Sequence, residues 1–333
     1  MKLLRKLSFP IALVYGLVIH VRNFLFDVGL LKTYQPKTPT ICVGNVSVGG
    51  TGKTPMIEFL IQLLSPNYTV AILSRGYGRK SKGYQLATAN SLVEELGDEP
   101  FQIHQKFPTV ALAVDGNRVE GIQYLEKQVS PDVILLDDAF QHRKVTPKFN
   151  ILLTTFDDPF PEDYFLPLGN LRDAKRSAKR ADCIVVTKCP ENITETEQQE
   201  LSVLLQPKPN QPIFFSYLKY ATVVKNELEA ISLDEFKQTK VVLVTGIANP
   251  APLVSYLENM GIYIEHLSYP DHHFFSEKEL KTFKQYARII TTEKDFVRLK
   301  DHLTNVYYIG VQHQFLNTDE ARLKAMLVKT VSV

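Results

Sequence analysis

A glycine-rich loop ending in Gly-Lys-Thr lies between an apolar segment and an amphipathic one. Residues 40–43 before the loop are apolar enough for a buried strand, and Pro55 after it is compatible with a first helical turn. The apolar residues that follow recur at the spacing of one helical face: Ile57, Leu60, Ile61 and Leu64. In such a strand–loop–helix unit, backbone N–H groups converge on phosphate oxygens. The pattern therefore predicts a nucleotide phosphate site rather than an ordinary turn.

The loop departs from the usual P-loop pattern at one position. Ser47 stands where a first glycine is usual, and Gly44, Gly49 and Gly50 are expected to supply the missing conformational freedom. The Lys53 ammonium is predicted to reach the β- and γ-phosphates of ATP, and the Thr54 hydroxyl to bind Mg²⁺. The predicted nucleotide-binding residues are Ser47, Val48, Gly49, Gly50, Thr51, Gly52, Lys53 and Thr54.

Apolar strand-like segments alternate with helical ones along the rest of the chain. The predicted strands before residue 219 are 70–73, 110–114, 133–136, 151–155 and 183–187. This alternation predicts an α/β fold, a P-loop NTPase-like parallel sheet covered by helices. A second series follows a polar stretch at 219–239 and predicts a smaller α/β domain. We expect a kinase core at 34–222, a C-terminal domain at 223–333, and the catalytic cleft between them.

Three acidic or histidine-containing segments are candidates for the chemistry. Asp137 and Asp138 end an apolar strand, where a carboxylate can hold Mg²⁺ beside a phosphate loop, although Asp138 could instead cap the next element. Asp98 and Glu99 precede a proline, and one of them could receive a substrate hydroxyl proton. The segment 271–274 contains two adjacent histidines, which point to opposite sides and so disfavour a shared metal ion. One of the two could hydrogen-bond a catalytic carboxylate.

The amino-terminal segment is apolar and aromatic from residue 3 to residue 31, with basic residues at both ends and in the middle: Lys2, Arg5, Lys6, Arg22 and Lys32. The uninterrupted apolar run, 9–19, is too short to span a bilayer, and no signal-peptide cleavage site follows it. These features predict a helix lying in the membrane interface, with core packing as the alternative. A second basic segment covers residues 172–180, and its Lys175, Arg176, Lys179 and Arg180 share a predicted helical face. Arg172 could point to a phosphate while the other cations face anionic lipid. The alternative is an ordinary solvated face.

Charge and cysteine content narrow the function classes. The 38 basic and 36 acidic residues nearly balance, which argues against a general nucleic-acid binder. Cys42, Cys183 and Cys189 lack metal-ligand spacing, and two of them lie in or beside apolar strands, where a reduced core thiol is expected. These features suggest a reducing, cytosolic compartment.

Taken together, the motifs resemble those of the tetraacyldisaccharide 4'-kinases of lipid A synthesis. The resemblance runs in family order along nearly the whole chain, and Ala139 departs from it where glycine is usual. The matching segments are residues 44–55, 74–79, 97–100, 115–118, 137–142, 166–172, 186–188, 246–250, 270–273 and 292–295.

The resemblance implies transfer of the ATP γ-phosphate to the 4'-hydroxyl of tetraacyldisaccharide 1-phosphate, giving lipid IVA at the cytoplasmic face of the inner membrane. It also implies a membrane helix at 1–33, an anionic membrane surface as partner, and neither a nucleic-acid nor a protein partner. The implied base is Asp98, assisted by a histidine of which His272 is preferred. The implied metal ligands are Thr54, Glu99 and Asp137. The implied cations that neutralise phosphate charge are Lys53, Arg118 and Arg172. Asp138 is implied either to support Asp137 or to contact the acceptor.

Two other classes compete with this interpretation. A P-loop GTPase acting as a switch or in metal delivery would read guanine with a motif resembling Asn-Lys-x-Asp. The segment Thr187-Lys188-Cys189-Pro190 begins similarly but puts Pro190 where the base-reading carboxylate belongs, which favours ATP. A membrane-tethered scaffold with a degenerate nucleotide site is disfavoured because Lys53, Thr54 and Asp137 are all present.

Overall fold

The computed structural model describes residues 8–332 of the 333-residue chain. The first seven residues, with Lys2, Arg5 and Lys6 of the predicted membrane segment, lie outside the described residues. The chain divides into two compact units: the first comprises the described residues up to Leu218 together with those from His313 onwards, and the second comprises Lys219–Gln312. The C-terminal residues thus group with the first unit, whereas the sequence placed 223–333 together. The functional domain boundaries themselves stay a prediction.

The first unit contains a mostly parallel sheet, as the sequence predicted. Its strands are β1 (Thr40–Asn45), β2 (Val70–Ser74), β3 (Gln85–Leu86), β4 (Ala111–Val114), β5 (Val133–Asp137), β6 (Phe149–Thr155), β7 (Cys183–Thr187) and the start of β8 (Ile213–Lys225). Their order is β8-β7-β6-β1-β5-β2-β4-β3, and within it only β3 pairs antiparallel, with β4. The central strands are buried on both faces, which explains why they read as continuous apolar runs.

Helices cover this sheet. They are α1 (Phe9–Asp27), α2 (Lys53–Leu64), α3 (Val93–Leu96), α4 (Asp98–Lys106), α5 (Arg118–Gln128), α6 (Glu195–Leu205) and the last helix, Asp319–Val331. The core joins apolar residues of the strands to those of the helices, including Ile122, Leu125 and Leu201. Cys42, Cys183 and Cys189 are all free and buried, whereas the sequence predicted a core thiol for two of them.

The second unit is a smaller α/β structure. Its strands are the end of β8, then β9 (Ala230–Ser232), β10 (Lys240–Thr245), β11 (Tyr263–Ser268), β12 (Ile289–Thr292) and β13 (Val306–Phe315), whose last residues belong to the first unit. Its helices are α7 (Ala251–Asn259), α8 (Glu277–Phe283) and α9 (Glu293–Leu299). Strand β10 pairs parallel with β11 and β12, and β12 pairs parallel with β13. Two apolar clusters, around Leu243 and around Val244, form its core.

Helix α1 packs on the first unit by one face only. Its buried residues are Ala12, Gly16, Asn23 and Phe26. Gly16 is required there, because a Cβ at this position would lie 2.8 Å from the ring of Phe165. The opposite face is exposed and apolar: Phe9, Ile11, Leu13, Val14, Leu17, Val18, Val21 and Phe24. Among the described residues, α1 is the one helix whose length and apolar composition would suffice to cross a membrane.

The basic segment forms a 3₁₀ helix, Lys175–Arg180, rather than the shared α-helical face predicted. Lys175, Arg176 and Lys179 are exposed. Arg180 instead lies 3.0 Å from a carboxylate oxygen of the buried Asp173. The buried carboxylate thus gains a compensating cation, which accounts for the separation of Arg180 from the other three basic residues.

Candidate active site

The glycine-rich loop joins β1 to α2 in the predicted order. Gly49 and Gly52 adopt φ values of +111° and +84°, which side-chain-bearing residues rarely reach. Gly44 serves a different purpose from the flexibility expected of it, because it lies inside β1 and its Cβ would be 2.6 Å from the Cβ of Phe140. The glycine there allows the segment after β5 to approach the strand. Gly49 and Gly52 therefore supply the turn, while Gly44 makes room.

Side chains and neighbouring backbone hold the loop from several directions. The Asn45 amide donates to the Thr51 hydroxyl (2.8 Å), and the Val48 N–H donates to the carbonyl of Asn170 (2.7 Å). The Thr187 hydroxyl donates to the carbonyl of Thr51 (2.9 Å). The loop is thus fixed by contacts outside its own sequence.

Asp137 lies at the end of β5, beside Val43 of β1 in the sheet register. Its carboxylate is buried, and one oxygen accepts a hydrogen bond from the Ser74 hydroxyl (2.8 Å). The other oxygen, Oδ1, has no hydrogen-bond partner among the described residues. Burial, reinforced by the charges of Glu99 and Asp138, raises the pKa of Asp137 to about 6. A cation bound beside this buried carboxylate would stabilise its charged form.

The residues around Asp137 fit a Mg²⁺ ion. Asp137 offers an unpartnered buried oxygen, Glu99 lies near enough for its charge to raise the pKa of Asp137, and Thr54 follows Lys53 at the start of α2. Within residues 8–332, no group of three or more His, Cys, Asp or Glu side chains could hold a metal ion. Mg²⁺ does not need such a group, because it commonly binds one or two carboxylates together with water and substrate phosphates.

Asp138 contacts two of the three predicted phosphate-binding cations. Arg172 pairs with both of its carboxylate oxygens, one at 2.9 Å, and the Lys53 ammonium lies 3.9 Å away. Burial alone would raise the pKa of Asp138, but the Arg172 hydrogen bonds and the Lys53 charge lower it. Asp138 also adopts φ +48°, which turns it out of the strand direction. In this structure, therefore, the Arg172 guanidinium is hydrogen-bonded to the Asp138 carboxylate.

Arg118, the third predicted cation, is only 2% exposed. Its guanidinium donates to the backbone carbonyls of Asp115 and Asp137. Burial lowers its pKa, and the charges of Asp137 and Asp138 oppose that shift. The structure thus places Arg118 where it supports the chain turn that carries Asp137, while its predicted contact with phosphate stays a prediction.

The Asp98 and Glu99 pair opens helix α4, with both side chains half-buried. Gly97 makes this turn possible: its φ is +89°, and a Cβ there would lie 2.6 Å from the carbonyl oxygen of Tyr77. The position at a helix N-terminus favours negative charge. The roles of Asp98 as base and of Glu99 as metal ligand stay predictions.

The two histidines of the second unit differ in their surroundings. The His272 ring nitrogens lie 3.0 Å from the Lys294 ammonium and 3.2 Å from the Arg298 guanidinium. His273 instead bonds the Glu279 carboxylate (3.1 Å) and stacks on Tyr269. Both histidines thus have partners within their own unit: His272 lies between two cations, and His273 is bonded to a carboxylate. The preference for His272 over His273 stays a prediction. The predicted pairing of His272 with Asp98 joins residues of different units and stays a prediction.

Four residues that contact the site were absent from the predicted set: Asn45, Ser74, Thr187 and His313. Three of them end buried parallel strands, and a polar residue at that position is a usable sequence signal. His313 has no such signal, because it contacts Gly52 from 261 positions along the chain.

Comparisons with known proteins show the family of the chain. Residues 4–332 match the family model described as Tetraacyldisaccharide-1-P 4'-kinase. A relative named Tetraacyldisaccharide 4'-kinase from Flavobacterium johnsoniae is 51% identical over 95% of this chain and 94% of its own, and one from Flavobacterium psychrophilum is 47% identical over 96% and 95%. A crystal structure of LpxK from Aquifex aeolicus in complex with ATP has 31% identity and a TM-score of 0.80 over 98% of this chain and 99% of its own. The chain therefore belongs to the tetraacyldisaccharide-1-P 4'-kinase family.

Proposed function

We propose that this chain is the kinase that phosphorylates the 4'-hydroxyl of tetraacyldisaccharide 1-phosphate with ATP, giving lipid IVA in lipid A biosynthesis. The observation that carries the proposal is a family match over residues 4–332 that includes the phosphate loop and Asp137. The relative of known structure is described as an ATP complex, which supports ATP as the phosphate donor.

The chain's own residues divide the work of phosphate transfer. Lys53 places a compact positive charge at the start of α2, where N–H groups and the helix dipole also favour phosphate. Asp137, Glu99 and Thr54 would hold Mg²⁺, which supplies charge neutralisation on the β- and γ-phosphates when bound. Arg172 reaches a phosphate only by sharing or exchanging its contact with Asp138.

Asp98 accepts the proton of the acceptor hydroxyl as its oxygen attacks phosphorus. The bond from the γ-phosphorus to the β–γ bridging oxygen breaks, and ADP leaves with that electron pair. His272 assists Asp98 by orienting it or sharing its proton. Phosphoryl transfer needs little covalent help from the protein, so these groups act mainly by position and charge.

The acceptor is a lipid, and helix α1 is suited to meet it at a membrane. Leu13, Leu17 and Val21 are half or more exposed on the face that points away from the first unit. Exposed Lys175, Arg176 and Lys179 supply positive charge for anionic lipid. These features support peripheral or monotopic binding to a membrane, which we propose to be the inner membrane at its cytoplasmic face.

The nucleotide-switch alternative is weaker. Pro190 follows Lys188 and Cys189 where guanine recognition would need a carboxylate, and the relatives are named as kinases. No observation on the described residues favours the switch.

Incubating the pure protein with γ-labelled ATP or GTP and extracted lipid separates these functions. We expect label in lipid with ATP, and none with a folded Lys53→Ala variant, because the charge facing the β- and γ-phosphates is lost. Hydrolysis without lipid labelling and with GTP preferred would indicate a switch. No turnover of either nucleotide would indicate a degenerate site.

A further inference from the structure

His313 lies at the end of β13 and is 5% exposed. Its Nε2 atom is 2.9 Å from the carbonyl oxygen of Gly52, the last loop residue before α2. Its Nδ1 atom is 3.0 Å from the hydroxyl of Ser216. Both ring nitrogens are therefore used, and one of them touches the phosphate loop.

The partners of His313 define its proton position. A carbonyl oxygen can only accept, so Nε2 carries the proton and donates it to Gly52. Nδ1 then accepts from the Ser216 hydroxyl. Burial lowers the pKa of His313 to about 4, which is consistent with a neutral ring. Ser216 thus selects the tautomer that can donate to the loop.

The Gly52 carbonyl also accepts the N–H of Met56 (3.1 Å), the hydrogen bond that begins α2. In a planar trans peptide, the carbonyl and the following N–H point in opposite directions. Holding the Gly52 carbonyl at His313 therefore orients the N–H of Lys53 away from His313.

Thr187 does the same for the preceding peptide. Its hydroxyl lies 2.9 Å from the Thr51 carbonyl and 3.2 Å from the Thr154 carbonyl, and its single proton is donated to the nearer, Thr51. This contact orients the N–H of Gly52. Phe315, two residues after His313, packs its ring 4.9 Å from that of Phe59 in α2. The end of β13 thus contacts both the loop and the helix that follows it.

We propose that His313 and Thr187 are positioning residues that aim the N–H groups of Gly52 and Lys53 at the phosphates of a bound nucleoside triphosphate. The inference rests on the proposed function, because it takes the loop to be the ATP phosphate site. It adds two residues outside the loop, each acting through a backbone carbonyl. His313 comes from a part of the chain far from the loop in sequence.

The test is nucleotide affinity, measured by calorimetry with Mg²⁺ and a non-hydrolysable ATP analogue in the absence of lipid. His313→Leu fills the buried space with an apolar side chain but removes the N–H donor. We expect the affinity for the ATP analogue to fall about 3- to 10-fold, the effect of one hydrogen bond. Thr187→Val, which keeps the side-chain shape, should act similarly. His313→Gln retains an N–H donor and should recover most of the affinity.

His104 provides a matched control. It is also buried, and its Nε2 lies 2.9 Å from a backbone carbonyl, that of Thr88. His104→Leu should lower the melting temperature without changing the affinity for the analogue. In turnover, the His313 and Thr187 variants should raise the KM for ATP and leave the KM for lipid unchanged.

Unchanged affinity in both Thr187→Val and a folded His313 variant would overturn the proposal. An equal loss of affinity in His104→Leu would also overturn it, because the effect would then follow general destabilisation. If His313→Leu fails to fold, Thr187→Val and His313→Gln still decide. The affinity test contains no lipid, so its outcome does not depend on the acceptor. Failure of the wild type to phosphorylate lipid, in the separate labelling experiment, would count against the proposed function only.

Discussion

At the scale of single residues, the carboxylates of the site differ in their partners: Asp137 has a buried oxygen without a hydrogen bond in the described part of the chain, whereas Asp138 lies beside two cations. Asp137 has a buried oxygen with no hydrogen-bond partner in residues 8–332, next to two further carboxylates. Lys53 and Arg172 instead lie at Asp138. A buried charge without a partner is destabilising, and such costs concentrate at functional sites. The arrangement is therefore expected to be most stable when a cation and phosphates are bound.

Replacing Asp137 by Asn should stabilise the protein in metal-free buffer while abolishing phosphate transfer. The pKa of Asp137 is raised to about 6, above its ordinary 3.8, so the fold favours the neutral carboxyl. That contribution to stability is present below about pH 4 and is lost as the pH rises through about 6. At pH 7.5 the Asn variant should therefore melt higher than the wild type.

Thermal melts across this pH range, with EDTA present, check the prediction. Asp132→Asn is a suitable control, because Asp132 is exposed just before the same strand and accepts a hydrogen bond from the Thr69 N–H. That variant should not gain stability. An Asp137→Asn protein that melts lower than the wild type at pH 7.5 would show that the carboxylate is compensated in the metal-free state.

Asp98→Asn should lower kcat by roughly 10²-fold or more with little change in ATP affinity, as expected for a positioned base. His272→Ala should impair the same step, so the double variant should lose much less than the product of the two single losses. His273→Ala is the control, because His273 is bonded to Glu279. Losses that multiply fully would refute the pairing, and a loss from His273→Ala equal to that from His272→Ala would move the role to His273.

At the scale of elements, helix α1 has one packed face and one exposed apolar face. Its packed face is partly polar: Asn23 donates to the buried Asp173 (2.7 Å), and Tyr15 donates to the carbonyl of Arg172 (3.2 Å). Arg22 donates to the carbonyl of Gln141 (2.6 Å). Helix α1 is therefore hydrogen-bonded both to the segment that contains Arg172 and to the segment that follows Asp138. Its apolar face is left for another surface.

Substituting Leu13 and Leu17 with serine should release the protein from anionic vesicles without lowering its melting temperature. The two side chains are 58% and 64% exposed, so they add little to folding. Each buried leucine contributes about 1.5–3 kcal/mol on entering an apolar phase, so each change should weaken membrane binding about tenfold or more. Vesicle sedimentation and thermal melts measure the two effects.

Gly16→Val provides the opposite case, because its side chain would collide with Phe165 and loosen the packed face. It should lower the melting temperature. If the Leu13 and Leu17 changes instead unfolded the protein and left vesicle binding intact, α1 would be a core helix and the interfacial interpretation would be wrong.

The elements themselves were largely predictable from the sequence, because their signals are local. Buried parallel strands such as β5 are apolar runs, and the loop before α2 carries its own glycines. The contacts between distant segments were not predictable. His313 contacts Gly52 from 261 positions along the chain, and Arg172 pairs with Asp138, which adopts a left-handed φ. The segment Lys175–Arg180 is a 3₁₀ helix, and its Arg180 pairs with the buried Asp173, a contact that helical periodicity did not predict.

At the scale of the whole molecule, the polar stretch at 219–239 marks where the chain leaves the first unit, but no sequence pattern marks where it returns. It leaves the first unit within β8 and returns within β13, so the final helix joins the first unit. No composition break marks the return, since β13 is a continuous strand of ten residues. Similarity to the kinase family nevertheless extends over both units, so both belong to the length that the family shares.

The most direct test of the account is the product formed from ATP and purified tetraacyldisaccharide 1-phosphate. Phosphorus–proton correlation spectra of the lipid, with Asp98→Asn as control, locate the new phosphate. The account predicts a single new phosphomonoester at the 4' position, formed by the wild type and strongly reduced in the variant. Phosphate at another position, or ATP hydrolysis with the lipid unchanged, would contradict it.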